Sequence, residues 1–559
     1  MKKHILYYLS FALVLASCSD EFTEKPAIGA LSDESLANAK GVELLLIGAY
    51  SALDGNTIGG NEIWGGANGW VNETITDNAH KGSTDSDNTD AYNLEVFNWT
   101  ASNPNLLGSW KSLYSGANRA NAVIDLISKV EGDYSAELAE SRFLRGYFYY
   151  NLQIRFGNIP FISEVEFAAT EFNQPNPGPI WDAIEADFQY AMDNLPPTQS
   201  AKGKPNTYVA HAFMAKAKIQ QKKYAEALSL LEAVIGSGEY SLLAELKDNF
   251  NSTGENGSES IFAIQFFADS GQSFNGAGAD TLNFPQGGPF GSCCGFYTPT
   301  QDLANAYKTD ANGLPLLDTY NQSDIANDQG LDDADAFTPE AGNLDPRIDY
   351  TIGRRGIDYN GWGVHPGQSW QRPSASDIGG PYLPKKNVYQ AGDDGMRGTG
   401  GWGQQRSGIN WHAVRYADVL LLAAEAAVET GALEKARGYV NQVRERAMNM
   451  TWVKDAAGNN AANYVIGLYT APWTDAAVAR KAVRMERRLE LGMEGHRLTD
   501  LRRYGNMADV MAAYIENEAR TISTFKAKMG TYKSHYELFP IPQNAIDLSG
   551  GILTQNPGF

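Results

Sequence analysis

Apolar residues recur at intervals of three and four along "GVELLLIGAYSAL" from Gly41, "SWKSLYSGANRANAVIDLI" from Ser109, "AESRFLRGYFYYNLQIRFG" from Ala139 and "IWDAIEADFQYAMDNLPP" from Ile180. That spacing predicts amphipathic helices. Each stretch ends at Gly or Pro, or in polar residues, where helices stop. Trp110, Trp181 and Tyr224 fall inside helical patterns and are assigned to the core. Two further segments, "YVAHAFMAKAKIQQKKYAEALSLLEAVI" from Tyr208 and "YADVLLLAAEAAVETGALEKARGYVNQV" from Tyr416, are related to each other. In both, a small residue on the first helix (Ala215, Ala424) precedes another on the second (Ala227, Ala436) by twelve positions, across a short polar turn. This predicts helical hairpins in close contact, spaced like tetratricopeptide repeats, whose pairs stack because none buries its apolar face alone.

The pattern changes between Ser252 and Trp411. Gly, Asn, Asp, Pro and aromatic residues dominate, as in "FNGAGADTLNFPQGGPFGSCCGF" and "GIDYNGWGVHPGQSWQRP". These predict a loop-rich surface laid over the helices, and long ordered loops in a compact protein tend to carry function. At the N-terminus, Lys2 and Lys3 precede an apolar run from Ile5 to Leu15. The run is shorter than the ~20 residues that span a bilayer and reads as a signal peptide, residues 1–17. "LASC", Leu15 to Cys18, resembles the lipobox of bacterial lipoproteins. The resemblance implies that Cys18 becomes the mature N-terminus and carries a diacylglyceryl group, each buried methylene contributing about 0.8 kcal/mol of membrane affinity. The alternative is an ordinary signal peptide with an incidental cysteine. Ser19, Asp20 and Glu21 resemble the acidic signal that sends Bacteroidetes lipoproteins to the cell surface, and the polar stretch to about residue 40, with Pro26, Gly29 and Ser32, reads as a tether.

Charge narrows the partners. Lys and Arg number 45 against 66 Asp and Glu, a formal charge of -21 over 559 residues, which repels phosphate backbones and argues against nucleic acid. Besides Cys18 there are only Cys293 and Cys294, so no long-range disulfide framework exists without Cys18. The adjacent pair has two readings: an oxidised eight-membered ring that stiffens its loop, or two packed thiols.

"RYADVLLLAAEA" at Arg415–Ala426, "VRMERRLELGMEGHRLTDLRRYG" at Val483–Gly505, the tail "ELFPIPQNAIDLSGGILTQNPGF", "ESRFLRGYFYYNLQIRFGNIPF" and "YTPTQDLANAYKT" resemble signature segments of the SusD/RagB family, in that family's order. The resemblance implies a mainly α, tetratricopeptide-like scaffold with a long loop-rich insertion. It divides the chain into a helical N-terminal half, 41–250, and a C-terminal half, 251–559, with its loops at 252–411. It further implies a lipid-anchored outer-membrane protein facing the cell surface. Such a protein binds oligosaccharide or polysaccharide, or in some members peptides, and sits on a SusC-like TonB-dependent transporter.

The signature residues themselves read as structural. Glu486, Arg487, Arg488, Glu490, Glu494, Arg497, Asp500 and Arg502 would form a dense set of ion pairs, with Arg forks holding helices in register. Paired carboxylates could serve a glycosidase, but surrounding arginines keep both ionised and spoil a general acid. No H-E-x-x-H brings two imidazoles onto one helix face, so no zinc site is expected. "TDSDNTDA" starts like an EF-hand with Asp85, Asp87 and Thr89, yet Asp90 stands at the turn glycine and Val96 at the bidentate Glu, which favours a solvated acidic loop, with a weak calcium site as the alternative. "GSCCG" lacks the strand and helix that a nucleophile elbow needs. No enzyme activity and no cofactor are expected.

A sugar site needs an aromatic face for the C–H side of the ring and amides, carboxylates or guanidinium groups for its hydroxyls. "NEIWGGANGWVNETITDNAHKG" supplies Trp64, Asn68, Trp70, Asn72, Asp77 and Asn78. The later loops add Tyr359, Trp362, Gln368, Trp370, Arg372, Trp402 and Gln404. The expected function is capture of a glycan for the transporter. The alternatives are peptide capture, and a surface assembly or adhesion module without a small ligand.

Overall fold

The computed structural model describes residues 36–55, 71–269, 272–275, 282–290, 294–386, 388, 390–398 and 407–559. Helices of eight residues or more form its body: α1 (Ala39–Ser51), α2 (Pro104–Ile127), α3 (Ser135–Phe156), α4 (Trp181–Asn194), α5 (Thr207–Gln220), α6 (Tyr224–Gly236), α7 (Tyr416–Glu429), α8 (Leu433–Asn449), α9 (Ala476–Leu491), α10 (Arg497–Tyr504) and α11 (Met507–Glu518). From α1 to α9 each packs on the next except that α9 lies against both α7 and α8. The α5/α6 hairpin therefore stacks directly on the α7/α8 hairpin, although 179 residues, 237–415, leave the stack between them. This is the expected tetratricopeptide-like scaffold with its insertion.

Local chemistry explains the pieces. Asn103 caps α2 by accepting from the Asn105 amide, and Pro104 fills the first turn, where no N–H is needed. Ala215, Ala227, Ala424 and Ala436 are fully buried, so each hairpin closes on methyl groups. Arg145 of α3 forks onto Asp187 of α4 at 2.7 and 2.8 Å, fixing one helix against the other. Trp110 is buried, as expected, and Trp181 and Tyr224 are half-buried against the same core.

Short two-stranded ribbons root the insertion. β1 (Ala79–Gly82) pairs antiparallel with β5 (Phe296–Pro299), and β2 (Ser260–Ile264) with β8 (Trp411–Arg415). β3 (Phe267–Asp269) pairs with β4 (Gln272–Asn275), and β6 (Ile352–Gly353) with β7 (Leu383–Pro384). The β2–β8 ribbon brings Arg415 to the start of α7, beside the buried carboxylates of α9. No helix among the described residues is long and apolar enough to cross a membrane.

α9 feeds three buried ion networks. In the first, Arg415 donates to Glu259, Glu490 and Glu494 at 2.6, 2.7 and 2.8 Å, and Arg347 donates to Glu486 and Glu490 at 2.7 and 3.1 Å and also to Asp345. Arg444 reaches Glu486, Arg446 reaches Glu490, and Lys386 reaches Glu494. Five cations thus face five carboxylates, with no net charge left inside. In the second, Arg487 pairs with Asp418 and Asp500, Arg503 with Glu425 and Asp500, and Lys216 with Asp418. In the third, Arg488 reaches Asp302 and Arg497 forks onto Asp77. Burial opposes ionisation of Glu494, yet Arg415 and Lys386 hold its carboxyl at about 2. Arg502 departs from the expected set: it donates to the carbonyls of Ile154 and Tyr536 instead of a carboxylate.

A fourth buried group sits on β1. His80 donates through one ring nitrogen towards Glu95 at 2.8 Å and through the other towards Glu518 at 3.0 Å, with Tyr514 and Phe525 against its ring. Burial alone would lower its pKa, but Glu518 and Glu95 reverse this and raise it to about 9. A folded value above the unfolded one, about 6.5, stabilises the fold fully below pH 6.5, and that stabilisation is lost as pH rises through about 9. We expect about 3 kcal/mol of unfolding free energy to disappear between pH 6.5 and 9.5. Lys81 and Lys385, which burial lowers to about 8, titrate over part of the same range, so the difference is the check: in urea melts wild type should lose about 3 kcal/mol more than His80→Gln over this interval.

Candidate functional site

The insertion has its own small core. Phe284, Phe290, Tyr359, Trp370, Leu383, Val388 and Ile409 are buried together, apart from the main core, with Trp362 and Met396 half-buried against them. Phe290 is the hub: its ring stands edge-on to Tyr359 at 5.9 Å, Trp362 at 5.2 Å and Trp370 at 6.3 Å. Such edge-to-face pairs are worth about 0.5–1.5 kcal/mol each beyond area burial, so a segment poor in regular structure is held rigidly. At Gly288, whose φ is +65°, an added Cβ would stand 2.3 Å from the Trp370 indole, so the close approach requires glycine.

Trp362 sits at the tip of a tight turn. The Tyr359 amide donates to the Gly363 carbonyl at 2.8 Å, and the Trp362 amide donates to the Tyr359 carbonyl at 2.9 Å. Gly363 takes φ +113°, which a side chain would resist. Asn360 staples the turn by donating to the carbonyls of Lys385 and Val388, both at 3.0 Å. Beyond it, Val364 is exposed, Gln368 is half-buried and donates to the Pro373 carbonyl at 3.0 Å, and Arg372 pairs with Asp87 at 2.9 Å. His365 lies under this surface, 5.6 Å from the Trp370 ring, and burial pushes it down to about 3, so it is neutral at neutral pH. The result is a half-buried indole on a fixed turn, with an amide and an ion-paired guanidinium further along the same loop.

The structure corrects several expected surface positions. Asp77 is buried and used up by Arg488 and Arg497, which hold its carboxyl at about 2 against the effect of burial. Asn78 is buried, accepting from Arg488 at 2.8 Å and donating to Glu73 at 2.8 Å, and Asn72 is buried as well. Tyr359 is fully buried with its hydroxyl on the Pro384 carbonyl, and Trp370 is buried in the same core. Tyr359 and Trp370 meet Trp362 through Phe290 and so support its turn. Trp362, Gln368 and Arg372 remain on the surface. Trp64, Asn68, Trp70, Trp402, Gln404, Cys18 and Cys293 lie outside the described residues. Cys294 is buried and disulfide-bonded.

Asp85 and Asp87 of the acidic loop pair with Lys528 and Arg372. Among the described residues, no group of three His, Cys, Asp or Glu side chains is placed to hold a metal ion. Glu73 is raised to about 7 by burial, but its carboxylate is enclosed, accepting from the amides of Gly495 and His496 at 2.8 and 3.1 Å. A carboxyl so enclosed supports a turn and offers nothing to a substrate.

The helical face has hollows of its own, which the sequence did not single out. One, of about 400 Å³, is lined by Gln199, Lys202, Lys204, Tyr240, Asn256 and the edge of β2. A second, of about 330 Å³, shares the turn at Ala201–Lys204 and is lined by Ile47, Tyr50 and Leu53.

Fold and site together define a helical-repeat scaffold that carries aromatic-rooted loops. The chain belongs to the SusD family, whose model matches residues 258–559. Residues 51–219 match a second model, described as starch-binding and associating with the outer membrane. Among known relatives, SusD-like protein P2 of Formosa agariphila is 23% identical with both chains covered in full, and a SusD-like protein of Bacteroides ovatus is 24% identical over 80% of this chain and 76% of its own. Among solved structures, a laminarin binding SusD-like protein superposes with a TM-score of 0.65 at 22% identity, covering 93% of this chain and 100% of that one. Surface glycan-binding protein A from Bacteroides thetaiotaomicron, in complex with laminarihexaose, gives 0.66 at 20%, covering 93% and 99%. At such identities these two likenesses show the fold.

Proposed function

We propose that this protein is a non-catalytic glycan-binding lipoprotein of the outer membrane. It is anchored through Cys18, faces the cell surface and passes oligosaccharide or polysaccharide to a SusC-like TonB-dependent transporter. The observation that carries the binding reading is Trp362: a half-buried indole at the tip of a stapled turn, with Gln368 and Arg372 further along the same loop. An indole offers the flat apolar face that packs on a pyranose ring, and the neighbouring polar groups suit its hydroxyls. The laminarin and laminarihexaose of the two structural neighbours make β-glucans the first ligands to try. The carboxylates of the signature helix are held ionised by arginines, which supports binding without hydrolysis.

Native affinity electrophoresis of the chain after Cys18, through gels containing laminarin, starch or other polysaccharides, tests the reading. Retardation by one polymer, with no release of reducing ends, is expected. Uniform migration through every gel would overturn it.

A further inference from the structure

The hollow of about 400 Å³ beside the α5/α6 hairpin has walls that hold one another in place. Asn206 caps α5 by accepting from the Val209 amide at 3.0 Å, and its own side-chain amide donates to the Tyr240 hydroxyl at 2.8 Å. Asn256 and Gln265 bond amide to amide in both directions, at 2.9 and 3.0 Å, and Asn410 donates to Gln265 at 3.0 Å. Ile261, Phe262 and Ala263 of β2 also line the hollow and are buried. Its volume lies within the range of about 300–1,000 Å³ common among ligand pockets, and polar groups fixed beforehand lose little freedom on binding.

The chemistry of the lining narrows the ligand. Most of its side chains are polar, so an apolar ligand would strip water from groups that it cannot satisfy. Its ions carry both signs. Lys204 is neutralised by Glu140 at 2.9 Å, while Lys202 and Glu239 stand at exposed positions, where solvent and salt screen them. A phosphate or sulfate therefore meets no strong net positive charge. Asn206, Tyr240, Asn256 and Ser260, all uncharged, are half-buried. Burial raises Tyr240 to about 12, so its hydroxyl keeps its proton at neutral pH. Having accepted from Asn206, that hydroxyl still has a hydrogen to give, and no described residue takes it. Lys202 makes no bond to a described residue either. Across the Ala201–Lys204 turn lies the hollow of about 330 Å³, where Ile47, Tyr50 and Leu53 offer apolar surface.

A ligand that suits both hollows carries many hydroxyls on one side and C–H groups on another, as linked sugar rings do. We propose that the two hollows form a second carbohydrate site, on the helical half of the protein. Hydroxyls of one ring bond to Tyr240 and Lys202 in the polar hollow, and the C–H side of an adjoining ring packs in the apolar one. The site shares no residue with the Trp362 turn. Its ligand class rests on the glycan reading above, and its position does not.

The test is isothermal titration of the chain after Cys18 with maltotriose, laminaritriose and xylotriose. Trp362→Ala is expected to keep millimolar affinity for at least one of them. In that background, Tyr240→Phe and Lys202→Ala should each weaken the remaining affinity by about fivefold, the size of one lost hydrogen bond. Tyr240→Phe keeps the ring and Lys202 is exposed, so circular dichroism should show both variants folded. Crystals soaked in the binding trisaccharide should show a sugar ring in the polar hollow. If Trp362→Ala abolishes binding and Tyr240→Phe alone changes nothing, the second site is overturned and the loop platform stands. If Trp362→Ala changes nothing while Tyr240→Phe weakens binding, the second site is supported and the platform is overturned. Residual binding indifferent to both Tyr240→Phe and Lys202→Ala, or no binding of any trisaccharide by the wild type, would also overturn the proposal.

Discussion

Arg415→Met is expected to leave the chain barely folded. Arg415 lies where β8 becomes α7 and donates to three carboxylates, Glu259, Glu490 and Glu494, all of them buried. Methionine matches much of its volume but leaves five carboxylates facing four cations in a region closed to water. Breaking a buried ion pair from one side costs about 3–5 kcal/mol, because the remaining charge is uncompensated. That is a large share of the 5–15 kcal/mol that holds a typical domain together. Guanidinium denaturation should show a midpoint far below wild type, or no cooperative transition at all. Arg415→Lys should recover only part of the loss, because one ammonium cannot reach three carboxylates with forked geometry. A midpoint within experimental error of wild type would mean that the network contributes nothing net to stability.

The second large effect concerns binding. Trp362→Ala removes an indole that contacts Phe290 from the surface side, so the turn stapled by Asn360 should survive and the melting temperature should fall only slightly. The proposed sugar platform, in contrast, loses its apolar face. We expect affinity for the retarding polysaccharide to fall by about 30-fold, or about 2 kcal/mol, as for a central aromatic anchor. Circular dichroism and thermal melts alongside the binding measurement separate lost contact from lost fold.

The scaffold was legible because helical hairpins are encoded locally. Ala215 and Ala227, or Ala424 and Ala436, announce a close pair within one short window, and the three-four periodicity names the buried face. The charged helix was legible as a structural element for the same reason, since Glu486 and Glu490 fall four apart beside arginines. Its partners were not. Arg347 and Glu259 arrive from the insertion, and no local pattern assigns them.

The site was harder for a physical reason. A loop rich in Trp, Asn, Asp and Gly has the same composition whether it lines a ligand surface or packs a small core. Trp370 and Tyr359 proved to be core, and Trp362, from the same stretch, remained at the surface. Asp77 and Asn78 fit a sugar site by residue type, but just ahead of β1 they meet Arg488 and Arg497, 410 to 420 residues further along the chain. Long-range pairing of this kind leaves no trace in local spacing. Arg502 shows the converse: it belongs to a charged motif, but among the described residues its hydrogen bonds go to carbonyls.

Isothermal titration of the polysaccharide that retards the wild type, against wild type, Trp362→Ala and Phe172→Ala, tests the central claim most directly. Phe172 is an exposed aromatic on the helical half, next to Asn173 and its bond to Ser549. The account predicts unchanged affinity for Phe172→Ala and a loss of more than tenfold for Trp362→Ala with its fold intact. Equal affinity in all three proteins would contradict it and move the glycan away from the loop platform.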